Sequence, residues 1–229
     1  MCYNIQMWNL QVYNPNLKGG ARRALKDIDK SEMNRMAKLA LISYDEPSKR
    51  KSIAGYKIDK KASNNDIAVL INPKDKQIVY SIAGTRLDKK NWKRDLADDT
   101  LIFFGLSNLI KRKKELQNII ENTKDKYPDY EHKITAHSLG ATLGKKLSKD
   151  TKTESYLFNR GSSPLQFISD TISDKLNKSL ISQTDYVQSD DIISSFLSKD
   201  SDIIEVPLKS KGLRAHSMYQ FTGDGLRKK

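Results

Sequence analysis

The chain has 229 residues, a length that suits one α/β domain, and 37% of them are hydrophobic, enough to build a core. No apolar run approaches the roughly 18 residues that span a bilayer, and the N-terminus lacks the basic and apolar regions of a secretory signal. The single cysteine, Cys2, excludes an internal disulfide and a thiolate zinc site. These features predict one cytoplasmic domain over residues 1–229, with residues 1–20 loosely ordered.

The charge balance is basic. There are 41 Lys and Arg against 28 Asp and Glu, a formal charge of +13, which favours polyanions such as nucleic acid or an acidic membrane face. The lysines are spread along the chain, so a generally basic composition is the competing interpretation. Nucleic acid ranks last as a partner, because no aromatic and basic reading surface or helix-turn-helix signature is present. The run Lys111–Lys114 is the candidate for contact with phosphates, although such runs on helices usually face solvent.

The first half of the chain changes from helical to strand-like periodicity and back. Helical spacing of apolar residues over Ser31–Tyr44 predicts a helix with Ser31 as its N-cap. Two β-rich runs, Asp66–Ile71 and Gln77–Ile82, flank a turn-forming stretch and predict a hairpin. A charged amphipathic helix is predicted from Leu106 to about Lys126. Its predicted apolar stripe consists of Leu109, Ile110, Leu116, Ile119 and Ile120.

Strands and helices alternate in the second half of the chain. Strands are predicted at His132–Ala136, Ser155–Phe158, Thr184–Val187 and Ile203–Val206, and helices at Leu139–Ser148 and Ile168–Ser182. Such alternation predicts an α/β fold with a mainly parallel central sheet and helices on both faces.

One stretch combines a strand with a small-residue helix. In Ile134–Leu143 a β-rich run stops at Ser138, and a helical pattern starts directly after it. A serine on such a sharp strand-to-helix bend forms a nucleophile elbow, which needs small residues two positions before and after it. Ala136 and Gly140 occupy those positions. A serine at an ordinary helix N-cap is the alternative.

A nucleophilic serine needs a base, and the base needs an acid that orients it. Of the three histidines, His132 begins the strand that leads into the bend, and His137 directly precedes the serine with its side chain directed away from the hydroxyl. His216 is therefore the candidate base. Asp190 and Asp191 follow a predicted strand and supply a candidate acid, in the order serine, aspartate, histidine that α/β hydrolases show.

The succession of motifs resembles the fungal-type (class 3) lipase family of α/β hydrolases. Ala37–Tyr44 resembles the family's leading helix, Val79–Arg86 its oxyanion strand and turn, and Asn91–Leu96 its D-W-x-x-D-L element. Thr135–Ala141 is similar to the elbow, Leu157–Pro164 to the next strand and loop, Asp191–Ile193 to the acid region, and His216–Tyr219 to the base region. The match runs in order from about Lys30 to Tyr219.

The resemblance implies a serine carboxylester hydrolase that acts on acyl lipids, as a lipase or phospholipase, through an acyl-enzyme. It implies Ser138 as nucleophile, Asp191 as the orienting acid and His216 as base. Thr85 and the backbone N–H of Leu139 are implied as the oxyanion hole. The implied partner is a lipid or ester substrate, with no cofactor and no metal, and the oligomeric state stays open. The basic surface adds the expectation of peripheral contact with an anionic membrane surface.

The resemblance also assigns roles around the site. Trp92 and Asp95 are implied to be structural, and Leu101–Leu106 lies where the family places its lid, so that Phe103 and Phe104 either cover an acyl site or belong to the core.

Two positions depart from the family pattern. Ala83 stands where the family usually carries an arginine, and Ala136 stands where the elbow usually has its first glycine. These departures favour a first alternative, a catalytically weak or inactive hydrolase-fold interaction protein, which would be virion-associated if the source is viral. A polyanion-binding protein is the second alternative.

Overall fold

A computed structural model describes residues 22–24, 27–84, 106–160, 182–188, 202–206 and 217–222. They form an eight-stranded sheet of β1 (Arg22–Ala24), β2 (Lys57–Ile58), β3 (Ile67–Asn72), β4 (Gln77–Ile82), β5 (Glu131–His137), β6 (Glu154–Phe158), β7 (Gln183–Gln188) and β8 (Asp202–Val206). The strand order is β1-β8-β7-β6-β5-β4-β3-β2. Only the β2–β3 and β3–β4 pairs among the described strands are antiparallel. The sheet is mainly parallel, as predicted.

Three α-helices of the described residues cover the sheet: α1 (Asp27–Ile42), α2 (Leu106–Lys126) and α3 (Leu139–Thr151). On one face, α1 buries Met36 and Leu39 in a core that also contains Phe158 of β6. On the other face, α2 and α3 bury Leu116 and Leu147 in a second core. The predicted α/β-hydrolase-like layering, with helices on both faces, is confirmed. Within the described part of the chain, every helix is too short or too polar to traverse a bilayer.

Several predicted boundaries need correction. Helix α1 begins at Asp27, so Ser31 lies inside the helix and is not its N-cap. The predicted stripe of α2 is wrong at Ile110, whose side chain is 62% exposed; at 3.6 residues per turn it lies about 120° around the helix from Leu116. Periodicity also missed the short edge strands β1 and β2. The predicted helix at 168–182, apart from Ser182, and residues 1–20 lie outside the described residues.

A half-buried histidine connects the end of α2 to the sheet. The Nδ1 atom of His132 lies 2.8 Å from the hydroxyl of Tyr80, and its Nε2 atom lies 2.9 Å from the carbonyl oxygen of Tyr127. A neutral ring with its proton on Nε2 satisfies both contacts, since it donates to the carbonyl and accepts from the tyrosine. Burial lowers the pKa of His132, although the hydrogen bond to Tyr127 acts in the opposite direction. The fold therefore favours the neutral ring.

The free energy of unfolding should fall on acidification because of His132. The unfolded chain binds a proton there at roughly pH 6.5, whereas the folded chain binds it only at lower pH. The stability that neutral His132 contributes to the folded state is complete above the unfolded-state pKa and is lost as the pH falls towards the folded-state pKa. In urea denaturation, we expect the stability advantage of the wild type over His132→Gln to be smaller at about pH 5 than at about pH 8. An advantage that does not change with pH would contradict this explanation.

Candidate functional site

Ser138 is the single residue between β5 and α3. Its backbone angles are φ 57° and ψ −130°, a conformation that side-chain-bearing residues rarely adopt and that costs on the order of 1–3 kcal/mol. Its N–H donates to the carbonyl of Phe158 over 3.1 Å, and its carbonyl accepts from the N–H of Ala141 over 3.0 Å. The residue is half-buried. This strained strand-to-helix turn is the backbone arrangement that a nucleophile elbow needs.

The turn is possible because the residues around it are small. A Cβ atom at Gly140 would lie 2.6 Å from the carbonyl oxygen of Ala83 and 2.7 Å from that of Ile82. The first turn of α3 therefore approaches the end of β4 more closely than any side chain would allow. Ala136, which replaces the expected glycine, is completely buried in β5 and leaves the strand unbroken up to His137.

The chain that leads to Thr85 passes directly beside Ser138. Strand β4 pairs with β5, with Ile82 opposite Ala136, and a Cβ atom at Gly84 would lie 3.5 Å from the Cβ of Ser138. Leu139 is the first residue of α3, and such an N–H has no partner within its own helix. The predicted donor Leu139 is thus next to the serine, whereas Thr85 lies outside the described residues.

Tyr44 connects the two backbones that meet at this point. Its hydroxyl accepts the N–H of Gly84 over 3.2 Å and lies 2.9 Å from Nδ1 of His137. The structure therefore places the ring of His137 against Tyr44. Sequence reasoning treated Tyr44 as the last apolar residue of a helix and missed this contact. The available signal was the hydroxyl, since a tyrosine packed into a core needs a partner for it.

The candidate acid follows β7. Asp190 and Asp191 lie outside the described residues, but β7 ends at Gln188, two residues before Asp190. The N–H of Gln188 donates to Oδ1 of Asn159, which directly follows β6. The carboxyl ends of β5, β6 and β7 thus lie at one edge of the sheet, and two strand spacings separate β5 from β7 by about 10 Å.

A buried ion pair fixes the same edge. Nε and Nη2 of Arg160 donate to the two carboxylate oxygens of Asp185, each over 3.2 Å, and the two side chains are 1% and 0% exposed. Breaking such a pair from one side typically costs about 3–5 kcal/mol. The pair anchors the chain after β6 to β7.

The candidate base, His216, lies outside the described residues, but the residues that directly follow it, 217–222, are described. The chain is described again from Ser217, and Phe221 is fully buried with its ring centroid 5.1 Å from that of Phe158. Phe158 is the residue whose carbonyl accepts the N–H of Ser138. The segment that begins one residue after His216 is therefore anchored beneath the serine turn.

The basic run at 111–114 is not a continuous surface patch. Nη2 of Arg112 donates to the carbonyl of Ala83 over 2.6 Å, and the Lys113 ammonium pairs with Asp150. Lys111 and Lys114 are exposed. The prediction that all four cations are available to phosphates is therefore wrong for Arg112, whose side chain is only 10% exposed.

Metal ligands are not clustered in the described ranges. No group of three or more His, Cys, Asp or Glu there is arranged to hold an ion.

Comparison with known proteins supports the fold. No family model and no curated protein matches the chain. Among solved structures, the Lip2 lipase of Yarrowia lipolytica is 17% identical with a TM-score of 0.55, and the match covers 90% of this chain and 93% of that one. Lipase II of Rhizopus niveus is 16% identical with a TM-score of 0.54 and coverages of 75% and 76%.

A third similar structure is the Rhizomucor miehei lipase propeptide complex, at 18% identity and a TM-score of 0.52. The match covers 75% of this chain and 64% of that one, so the chain spans less than two thirds of that protein's length. The mainly parallel sheet, the helices on both faces and these structural neighbours together identify the chain as a protein with the α/β-hydrolase fold of the fungal-type (class 3) lipases.

Proposed function

We propose that the protein is a serine carboxylester hydrolase that acts on acyl lipids. The observation that carries the proposal is the backbone of Ser138, held at φ 57° between β5 and α3. A serine that only caps a helix has no need of this strained conformation, whereas a nucleophile that must project from the sheet edge does. The lipases that share the fold support an ester of a lipid as the substrate class.

The proposed reaction proceeds through an acyl-enzyme. Oγ of Ser138 attacks the ester carbonyl carbon while its proton moves to His216, which Asp191 orients. The resulting oxyanion receives hydrogen bonds from the N–H of Leu139 and from Thr85, each worth about 3 kcal/mol. The intermediate then collapses, and His216 gives its proton to the departing alcohol. Water repeats the sequence on the acyl-enzyme, releasing the fatty acid and restoring the serine.

Labelling with a fluorophosphonate tests the proposal, because only an activated serine is phosphonylated. The intact wild-type protein should gain one label, and peptide mapping should place it on Ser138, while Ser138→Ala should gain none there. A panel of esters from short to long acyl chains then tests whether the labelled site turns over acyl substrates. Absence of both labelling and hydrolysis would favour the inactive interaction protein instead.

The exposed lysines of α2 give a separate prediction about the membrane. If the basic surface draws the enzyme to acidic lipid, activity on anionic vesicles should fall as salt rises from about 50 to 500 mM, because the Debye length shortens from roughly 14 to 4 Å. Changing Lys111 and Lys114 to Gln should produce the same loss at low salt. Hydrolysis of a soluble short-chain ester should change little in either case.

The matched control is Lys74→Gln with Lys76→Gln. Lys74 and Lys76 are exposed and lie in the turn before β4, at the opposite end of that strand from Gly84. This double variant removes two positive charges, as the variant of Lys111 and Lys114 does. Equal losses in the two double variants would show that the effect belongs to the overall charge of +13 and not to the lysines of α2. Parallel salt responses of vesicle and soluble activities would show that this charge does not steer the protein to membranes.

A further inference from the structure

Arg112 reaches from α2 to the backbone at the end of β4. Its Nη2 donates to the carbonyl of Ala83 over 2.6 Å, and its Nε lies 2.9 Å from Oδ1 of Asp66. The Nε–H is not aimed at that oxygen, so the second contact is an ion pair without a hydrogen bond. Asp66 also contacts Ala83 directly, because its backbone carbonyl accepts the N–H of Ala83 over 2.9 Å. We call Arg112, Asp66 and Ala83 the Ala83 clip.

The Ala83 clip fixes the chain immediately before the oxyanion turn. Both backbone polar groups of Ala83 are held in it, and the next residue, Gly84, donates its N–H to Tyr44. Gly84 lies against Ser138, as the 3.5 Å separation between its would-be Cβ and the serine Cβ requires. Thr85 is one peptide further along. The contacts of Ala83 and Gly84 therefore hold the last described part of this segment against Ser138.

The clip needs a guanidinium group. The side chain of Arg112 is 10% exposed and that of Asp66 is 42% exposed, so the contact with the Ala83 carbonyl is largely screened from water. A planar guanidinium can reach a carbonyl and a carboxylate at once, whereas a lysine ammonium is a single point charge. The clip also joins two parts of the chain that the segment 85–105 separates, since it ties the end of β4 to the second turn of α2.

We propose that Arg112 is a positioning residue for ester hydrolysis, which holds Ala83 and Gly84 against Ser138 at the start of the oxyanion turn that the proposed function assigns to Thr85. The inference rests on the proposed function. Because the oxyanion exists only in the transition state and the intermediates near it, loss of the clip lowers kcat and leaves KM almost unchanged.

The experiment measures kcat and KM on a soluble short-chain ester for the wild type, Arg112→Ala, Arg112→Lys and Asp66→Asn. Fluorophosphonate titration carried to completion counts the competent serines, so that kcat is expressed per active site. Arg112→Ala should lower kcat per site about 10²-fold, the loss typical of one oxyanion donor, with KM within about twofold. Arg112→Lys should resemble it. Asp66→Asn should lose less, because its backbone carbonyl still accepts the N–H of Ala83.

Two further measurements separate positioning from general stability. Millimolar guanidinium ion should restore part of the kcat of Arg112→Ala and leave the wild type unchanged. Lys113→Ala is the matched control, since Lys113 is the next residue of α2 and this change removes its ion pair with Asp150 of α3. This variant should retain the wild-type kcat per site. If Arg112→Ala fails to fold, Arg112→Lys and Asp66→Asn decide the matter, because each keeps the size of the side chain it replaces.

Two results would overturn the inference while the proposed function stands. One is a kcat per site in the Arg112 variants equal to that of Lys113→Ala. The other is a loss confined to the number of competent serines, which would mean that Arg112 only stabilises the fold. A wild type with no turnover dependent on Ser138 would instead contradict the proposed function, and the positioning role would fall with it.

Discussion

Ser138→Ala should lower ester hydrolysis by about 10⁴-fold or more, because the base is left without a nucleophile. The protein should still fold. Alanine keeps the Cβ atom that already fits the turn, and the contacts that Ser138 makes with Phe158 and Ala141 come from its backbone. The measurements are kcat/KM on a soluble ester and the thermal unfolding midpoint of the same preparation.

Ser52→Ala is the control for this variant, since Ser52 is exposed and lies in the segment before β2, outside the serine turn. It should keep full activity. Substantial turnover by Ser138→Ala would exclude this serine as the nucleophile, even if the fluorophosphonate had labelled it. An unfolded Ser138→Ala protein would contradict the view that the strained backbone, and not the hydroxyl, organises the turn.

Local periodicity predicts most of the framework. The hairpin of β3 and β4, the helix α2 and the succession of β5, Ser138 and α3 follow from patterns within about twenty residues, and the structure has them within a few residues of the predicted bounds. The edge strands β1 and β2 are three and two residues long, too short to carry a period. Ile110 is exposed, and the prediction is wrong there because the predicted stripe is wider than the buried face of a helix with 3.6 residues per turn.

The contacts that hold the serine turn could not be found in the same way. Tyr44 lies 93 residues from His137 and 40 from Gly84, and Arg112 lies 29 residues from Ala83. Each contact joins a side chain to a partner that only the tertiary fold brings near. Arg112 lies within the basic run 111–114, and nothing in the local sequence distinguishes it from Lys111 and Lys114, which are exposed. Ala83 stands where the family that the sequence resembles usually carries an arginine, and the guanidinium of Arg112 in α2 contacts the carbonyl of this residue.

Replacing Asp191 with Asn should lower kcat/KM for a soluble ester by about 10⁴-fold, because His216 then loses the acceptor that holds its ring in the productive tautomer. Asp191 is favoured over Asp190 since it is followed by two apolar residues, as in the family that the sequence resembles. Adjacent residues leaving a strand direct their side chains to different sides, so only one of the two can face His216.

Asp190→Asn is the matched control, with the same change in charge and shape one residue away. Its activity should stay close to that of the wild type. The described end of β7 supports this comparison, because the backbone N–H of Gln188 is held by Asn159, and neither variant alters that contact. Both variants should therefore retain the hydrogen bond between Gln188 and Asn159 and differ only in which carboxylate is lost. The reverse ranking would assign the acid to Asp190, and equal small losses would mean that neither aspartate orients the base.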